Sequence, residues 1–515
     1  MSGLQAVDYA VLAGYLVLVV AIGVRVSRRS PTGDDLFLAG RTLGAGAVGL
    51  SLFASNISST TLIGLPGAAW EHGIAVANYE WMAALVLIFS AFYVVPVFLR
   101  NRLTTVPELL EKRFDARARK YLSGVSVFLS LVLDTAGSLY AGAIVLMLFI
   151  PGLTLTPTIV AMAVFAGLYT AAGGLRAVVF TDMLQSVVLL LGALILTVLV
   201  FGEFDYQWSQ VRAALPAEKF SLLRPMDDPM LPWLGTLVGL PILGFYYWTM
   251  NQYVSQRLLG ARDVPTATRG ALLAAGLKLL PLFIMVIPGA MAAALITDLD
   301  RADTVFPRLI AEYAPAGLAG LILAGLMAAI MSSVDSALNS ASTLITKDFI
   351  EPRRRRPMDE RQLARTGRVV TAILMVLAAA WAPMIDRFPG LFAYLQQGFA
   401  YVTPPLVALF ALALCSRRIG ARSALAATVT GHVVSAGWFA ATQLGWLDLH
   451  FTLVAGVLLG LTLLAAPLWQ RLLGGTPPAP ALAALAQGPL RQSAALRATA
   501  LGLVLLTGAL VIAFW

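Results

Sequence analysis

Long apolar stretches recur from one end of this sequence to the other, and they constrain its fold more than any other feature. Each is close to or above the roughly 20 apolar residues that a helix needs to cross a bilayer. The sequence therefore predicts an all-α, polytopic membrane protein. We predict fourteen spans, near residues 6–26, 44–74, 78–99, 121–150, 157–174, 178–202, 233–257, 270–297, 317–347, 363–386, 388–415, 421–443, 449–469 and 495–515.

The composition agrees with this class and argues against several others. Hydrophobic residues make up 59% of the chain and charged residues 12%, which is about half the charged share of soluble domains. The single cysteine, Cys415, excludes an intramolecular disulfide and a thiolate metal centre. The sequence has no nucleophile–base set, no phosphate-binding loop and no histidine ligand spacing. We therefore predict that the chain is not an enzyme.

The basic residues indicate how the chain is oriented, because cytoplasmic loops of membrane proteins carry an excess of Lys and Arg. With the N-terminus outside, the net charge of +9 reflects topology rather than nucleic-acid binding. We predict a cell-membrane protein, embedded in the lipid bilayer, with both termini outside. Only six of the 36 basic residues then fall in outside loops, namely Arg212, Lys219, Arg224, Arg301, Arg308 and Arg387.

A stripe of small oxygen-bearing side chains marks the ninth span. Asp335 lies among them, and a carboxylate at membrane depth is costly and usually functional. Hydroxyl, carbonyl and carboxylate oxygens packed together favour a hard cation. The alternative is close helix packing, with hydroxyls bonded back to carbonyls. At helical spacing the stripe contains Ala329, Ser332, Ser333, Ser336, Asn339, Ser340 and Thr343.

Two spans lose their apolar character in the middle. Polar residues follow one another from Asn56 to Thr61 in the second span, and residues 244–257 bring aromatic and amide groups into the seventh. Such runs favour local unwinding, which exposes carbonyls and helix ends to a ligand. The alternatives are a bent helix without a ligand and an ordinary aromatic core. Because the two spans lie five apart, they predict two five-helix repeats.

Four isolated ionisable groups lie inside or at the ends of spans. They are Glu80, Asp134, Asp182 and Lys278. Each could belong to a structural pair, but charged groups inside a membrane protein generally mark ion or substrate pathways. We predict that at least one acid pairs with Lys278 or contacts the solute, because several unpaired charges in a dry site would carry too large a desolvation cost.

Four stretches resemble the sodium:solute symporter family, and within it the sodium/glucose-cotransporter branch. They are AVVFTDMLQ at 177–185, the segment at 246–263, the Lys278 segment and residues 328–349. The resemblance covers essentially all the spans. It implies a LeuT-type fold, with ten core helices in two inverted repeats, one extra helix before them and three after. The implied division is 1–43, 44–202 for the first repeat, 203–232 for an external loop, 233–415 for the second repeat, and 416–515.

The resemblance also implies where sodium, the coupling ion, binds. The first sodium site would use Ala54, Ile57, Ala329, Ser332 and Ser333, and a second one nearer the cytoplasm would use Asp182, Ser332, Asp335 and Ser336. The second site would be more acidic than usual in the family, because Asp335 replaces what is often a hydroxyl residue.

The implied solute site departs from that of the bacterial galactose symporter. That symporter has glutamine, serine, asparagine and asparagine where this chain has Thr61, Ala83, Asp134 and Gly244. These differences remove amide donors and add a carboxylate. By resemblance, the solute-binding residues would be Asn56, Thr61, Glu80, Asp134, Tyr247, Lys278 and Gln396.

The resemblance implies sodium-coupled uptake of a small polar solute by alternating access. A sugar, polyol or sugar acid is the first choice of solute, and an amino acid or other amine is the second. Proton coupling through the buried acids is a further alternative. The expected partners are the solute, sodium ions and the bilayer, without nucleic acid or an obligate protein partner.

Overall fold

The computed structural model describes residues 4–27, 38–57, 59–388, 390–474 and 492–514. Within these ranges its regular secondary structure is helical, with only isolated β-bridges outside the helices. The first helices are α1 (Ala6–Ser27), α2 (Ala45–Asn56), α3 (Ser59–His72), α4 (Asn78–Tyr93), α5 (Val95–Arg100), α6 (Glu108–Arg113), α7 (Ala116–Leu129), α8 (Ala136–Phe149) and α9 (Leu155–Gly202).

The second part of the chain continues in the same way. It contains α10 (Trp208–Ala214), α11 (Trp233–Phe245), α12 (Gln252–Leu259), α13 (Val264–Leu277), α14 (Ile287–Leu295), α15 (Val305–Tyr313), α16 (Leu318–Leu344), α17 (Glu360–Trp381), α18 (Leu391–Cys415), α19 (Ala421–Gln443), α20 (Phe451–Leu473) and α21 (Ala494–Ala513).

Ten helical segments of the described chain are long and apolar enough to cross a membrane, and the bent pair α2–α3 makes eleven. This confirms the polytopic all-α class, although it does not reach the predicted count of fourteen spans. One difference has a clear position. A loop was predicted at 175–177 between the fifth and sixth spans, but α9 stays helical from Leu155 to Gly202. Residues 158–202 contain no proline, and their many Ala and Leu residues sustain a helix.

Both predicted interruptions are present. The helix α2 ends where Ile57 leaves helical geometry at ψ 66°, and α3 continues at an angle of 53° to it. The Thr61 hydroxyl donates to the Asn56 carbonyl at 2.5 Å across the break. In the seventh span, a π-helical turn at Tyr246–Met250 ends at the extended residue Asn251, whose side chain caps α12. The interruptions expose backbone carbonyls inside the protein.

The helix α16 lies at the centre of the packing. It contacts α1, α2, α3, α8, α9, α12 and α17, and every residue from Ala328 to Leu344 is buried. A helix that is buried all round belongs in the core of a large protein. Its hydroxyls and Asp335 therefore face other protein groups rather than lipid. By contrast, the C-terminal helix α21 has the smallest buried share among the recognised spans, 11%.

Asp8 on α1 holds the beginning of α16. One of its carboxylate oxygens accepts the backbone N–H groups of Gly317 and Gly320, both at 2.8 Å. The side chain is 2% exposed, and a negative charge is favourable at the N-terminus of a helix. Gly320 permits the approach, since a Cβ there would lie 2.5 Å from the Asp8 Cα.

We expect Asp8→Ala to lower the thermal unfolding midpoint of the purified protein in detergent. Each hydrogen bond to a charged group contributes about 1.5–3 kcal/mol, and here two backbone donors would be left unsatisfied. The unfolding midpoint of Asp8→Asn, which keeps one acceptor oxygen, should lie between those of Asp8→Ala and the wild type. The control is Asp298→Ala, which alters an exposed loop carboxylate. Equal midpoints for Asp8→Ala and Asp298→Ala would contradict this role.

Candidate functional site

A cavity lies where the two broken spans meet. The volume of this cavity is about 110 Å³. Residues beside both interruptions contribute to its wall, as do α16 and α18. Six of the seven predicted solute residues line the cavity, namely Asn56, Thr61, Glu80, Asp134, Tyr247 and Gln396. The seventh, Lys278, does not line it.

Aromatic rings form much of this wall. The Tyr247 ring meets Phe399 edge-on at 5.9 Å between centroids and Trp248 at 5.2 Å. Tyr79 meets Phe392 edge-on at 5.0 Å. Apolar and aromatic walls with a few placed polar groups are typical of small-molecule sites. The aromatic wall can pack against the C–H faces of a bound ring, while Asn56, Glu80 and Gln396 can form hydrogen bonds with the hydroxyls of that ring.

Glu80 and Lys278 form a buried ion pair beside the cavity. The ammonium of Lys278 donates to the Glu80 carboxylate and lies 4.8 Å from the centroid of the Trp248 ring. The Lys278 side chain is 0% exposed and that of Glu80 is 9% exposed. Glu80 therefore lines the cavity while Lys278 lies outside its wall, and the Lys278 ammonium compensates the charge of Glu80. Of the two predicted alternatives, an acid paired with Lys278 or an acid in contact with the solute, the structure shows the pairing, and the acid is Glu80.

We expect Glu80→Gln to destabilise the fold as well as the site, because it leaves the Lys278 ammonium buried without its carboxylate. Breaking a buried pair from one side costs about 3–5 kcal/mol, whereas replacing both partners is often nearly neutral. The double variant Glu80→Gln with Lys278→Met should therefore unfold at a higher temperature than Glu80→Gln alone. A Glu80→Gln protein as stable as the wild type would show that the pair contributes little.

Asp134 is the second acid of the wall. It belongs to a π-helical turn, Ser130–Thr135, between α7 and α8, and such turns are frequent at functional sites. Ser130 and Asn251 interact with its carboxylate. The Oδ2 atom is buried, and none of the residues that the structure describes forms a hydrogen bond with it. No Lys, Arg or His belongs to the described wall of the cavity, so this charge has no fixed counter-ion there.

The predicted first ion site lies at the end of α2. A helix leaves its last four carbonyls without intrahelical partners, and α2 ends at Asn56, inside the protein. The Tyr253 hydroxyl donates to the Ser55 carbonyl and also interacts with Ser333. Tyr253 therefore brings the end of α2 close to α16. Ala54, Ile57, Ala329, Ser332 and Ser333 are all buried.

Ser333 lines the cavity and is also one of the predicted ion ligands. Its hydroxyl donates to the Ala329 carbonyl at 2.8 Å, one turn earlier on α16. Its lone pairs remain available to a cation, and the same side chain lines the cavity. The carbonyl and hydroxyl oxygens around it are the ligands that hard cations prefer. The residues present therefore fit a sodium ion.

The predicted second ion site contains a base that the sequence reasoning missed. Asp182 accepts from Ser51 at 2.7 Å, from Ser332, and from Arg257 Nη2 at 3.0 Å. The Arg257 guanidinium also donates to Ser336 at 2.8 Å. The side chains of Arg257 and Asp182 are 1% and 0% exposed. The structure thus brings Asp182, Ser332 and Ser336 together, with Arg257 bridging Asp182 and Ser336.

Two broken helices that open onto a central polar cavity are typical of secondary transporters. The chain belongs to the sodium:solute symporter family, whose model matches residues 36–431. This confirms the resemblance, and sodium is the coupling ion of the family.

Three curated relatives extend the comparison. The chain is 36% identical over 474 residues to the sodium/mannose cotransporter of Bos taurus, covering 84% of this chain and 79% of the relative. It is 33% identical over 473 residues to sodium/glucose cotransporter 1 of Sus scrofa, covering 84% and 71%. It is 33% identical over 480 residues to the sodium/myo-inositol cotransporter of Mus musculus, covering 84% and 67%.

The fold is also that of a solved transporter. A substrate-bound, outward-open Na⁺-coupled sialic acid symporter superposes with a TM-score of 0.79. The superposition covers 92% of this chain and 99% of the other at 23% sequence identity. Mhp1, a nucleobase-cation-symport-1 transporter, superposes with a TM-score of 0.56 at 16% identity. These similarities place the chain in a LeuT-like fold group.

Proposed function

We propose that this chain imports a small hydroxylated solute together with sodium, by alternating access across the cell membrane. The observation that supports this most directly is the position of Ser333, which lines the solute cavity and belongs to the candidate ion site. A shared side chain lets each ligand favour the conformation that the other binds, which is the requirement for coupling. The curated relatives are named for glucose, mannose and myo-inositol, which are neutral polyhydroxylated solutes.

The coupling sodium binds at Ala54, Ile57, Ala329, Ser332 and Ser333 in this proposal. Moving one charge inward is worth about 2.3 kcal/mol per 100 mV of membrane potential. One sodium per cycle therefore supports uptake against a concentration gradient. A second sodium at Asp182, Ser332, Asp335 and Ser336 requires a state in which Arg257 has moved away from Asp182, because the guanidinium now compensates that charge.

The wall of the cavity narrows the choice of solute. It holds the acids Glu80 and Asp134 and no described base, so a sugar acid would meet negative charge without a partner. Carboxylates and amides accept hydrogen bonds from hydroxyls, and Lys278 acts through Glu80 rather than on the solute. A sugar or polyol without a carboxylate fits these groups better.

The proposal includes the architecture. The two interrupted spans open equivalent five-helix repeats over residues 44–202 and 233–415, with residues 1–43 before them, an external loop at 203–232 and three helices over 416–515. Both termini lie outside, as the distribution of basic residues indicates. Supporting this division, the first span of each proposed repeat is interrupted, at Ile57 and at Asn251.

Uptake into proteoliposomes tests the function. Purified protein is reconstituted, and labelled glucose, mannose, myo-inositol and glucuronate are offered with an inward sodium gradient or an equal potassium gradient. Labelled glucosamine is offered as well. We expect at least tenfold faster uptake in sodium of one or more of the solutes that lack a carboxylate, and none of glucuronate. Liposomes without protein give the background. Uptake that is equal in sodium and potassium for every solute would contradict the proposal.

A further inference from the structure

The charge balance of the solute cavity is incomplete. Two acids line it, and Lys278 compensates only Glu80. The Asp134 carboxylate has Ser130 and Asn251 as polar neighbours, yet its buried Oδ2 atom has no hydrogen-bond partner within the described part of the chain. An unpaired carboxylate in a dry interior carries a large desolvation cost. The cavity is therefore completed by something that brings positive charge or a proton to Asp134.

The surroundings of Asp134 favour an organic cation over a metal ion. Asp134 shares the wall of the cavity with the aromatic residues Tyr247, Trp248 and Tyr253. A metal ion needs several oxygen ligands in a shell, and the candidate ligands of sodium lie on α2 and α16 instead. An ammonium group needs one carboxylate and is also attracted to aromatic faces.

We propose that Asp134 binds a protonated amine of the solute, and that the carrier therefore takes a hydroxylated solute bearing an ammonium group, such as an amino sugar or amino polyol. The inference rests on the proposed sodium symport and specifies its solute. Glu80 and Gln396 then accept the hydroxyls, and the rings of Tyr247 and Phe399 pack against the body of the solute. A carboxylate binds an ammonium more strongly than a neutral hydroxyl.

A cationic solute changes the energetics of transport. Each solute molecule then carries one charge in addition to that of sodium. With one sodium per cycle, two charges cross with each cationic solute molecule, whereas one charge crosses with a neutral sugar. The extra charge raises the attainable accumulation by about fifty-fold per 100 mV of membrane potential. The ratio of charge to solute can therefore be measured on the wild-type protein, independently of any variant.

The test compares three labelled probes in proteoliposomes with an inward sodium gradient. They are D-glucosamine, N-acetyl-D-glucosamine and D-glucose, at a pH where the free amine is protonated. For the wild type we expect glucosamine uptake at least tenfold above that of N-acetylglucosamine, with two charges per glucosamine molecule. Asp134→Asn should lower this preference at least tenfold. Asp298→Asn, the same change in an exposed loop acid, should keep it.

The outcomes separate the two proposals. Sodium-driven uptake of glucose or N-acetylglucosamine without a preference for the amine would overturn the role of Asp134 and leave sodium symport intact. An unchanged preference in Asp134→Asn would also overturn it. Proton uptake with neutral glucose, lost in Asp134→Asn, would show that a proton completes the cavity and would overturn the inference. Sodium-independent uptake of all three probes would contradict both proposals.

Discussion

Ser333→Ala is expected to abolish sodium-driven uptake while the protein stays folded. The hydroxyl is a proposed sodium ligand and faces the solute cavity, so its removal weakens the ion and the coupling together. It donates within its own helix, to the Ala329 carbonyl, and alanine keeps that helix intact. We expect an initial uptake rate at least a hundredfold lower in proteoliposomes, with the thermal unfolding midpoint close to that of the wild type.

The same helix provides a matched control. Thr343 also donates to a carbonyl four residues earlier, that of Asn339 at 2.7 Å. It is fully buried and lies outside the described wall of the cavity. Thr343→Val removes the same kind of bond at nearly constant volume and should retain uptake. Undiminished sodium-driven uptake by well-folded Ser333→Ala protein would refute the assignment of the first sodium site.

Breaking the ion pair between Arg257 and Asp182 is expected to have the largest effect on stability. Arg257→Met leaves the Asp182 carboxylate buried and uncompensated, at a cost of about 3–5 kcal/mol. Ser51 and Ser336 also lose a charged donor. The double variant Arg257→Met with Asp182→Asn removes both charges and should recover much of the thermal unfolding midpoint. Equal midpoints for Arg257→Met and the wild type would contradict the structural role.

Sodium cooperativity decides whether Asp182 also binds an ion. If Arg257 stays in place throughout the cycle, the Hill coefficient for sodium is one in the wild type and in Asp182→Asn. A wild-type coefficient above one that falls toward one in Asp182→Asn would show that the guanidinium gives way to a second sodium. Uptake that instead depends on pH without sodium would indicate that the buried acids carry protons.

Local sequence predicted the breaks and the stripe because both arise from neighbouring residues. The polar run around Asn56 and the segment ending at Asn251 interrupt otherwise apolar helices, and the structure has a break at each. The hydroxyls of α16 share a face by helical spacing alone. Composition and the distribution of charge were enough to define the class of protein.

The pairings could not be predicted in the same way because they join distant parts of the chain. Arg257 stands at the end of its span in the sequence, 75 residues from Asp182, and nothing local marks it as buried. Counting charges predicted that an acid pairs with Lys278 or contacts the solute, but only the packing shows that Lys278 pairs with Glu80. The loop predicted at 175–177, between the spans at 157–174 and 178–202, was wrong, because the backbone continues as helix there.

Reciprocal binding of sodium and solute tests the central claim most directly. The affinity of the purified protein for the solute found in the uptake screen is measured calorimetrically at increasing sodium concentrations, with potassium keeping the ionic strength constant. The affinity for sodium is measured with and without that solute. Linkage requires both affinities to rise by the same factor, and we predict a rise of at least tenfold that disappears in Ser333→Ala. Equal solute affinity in sodium and in potassium would contradict coupling through this site.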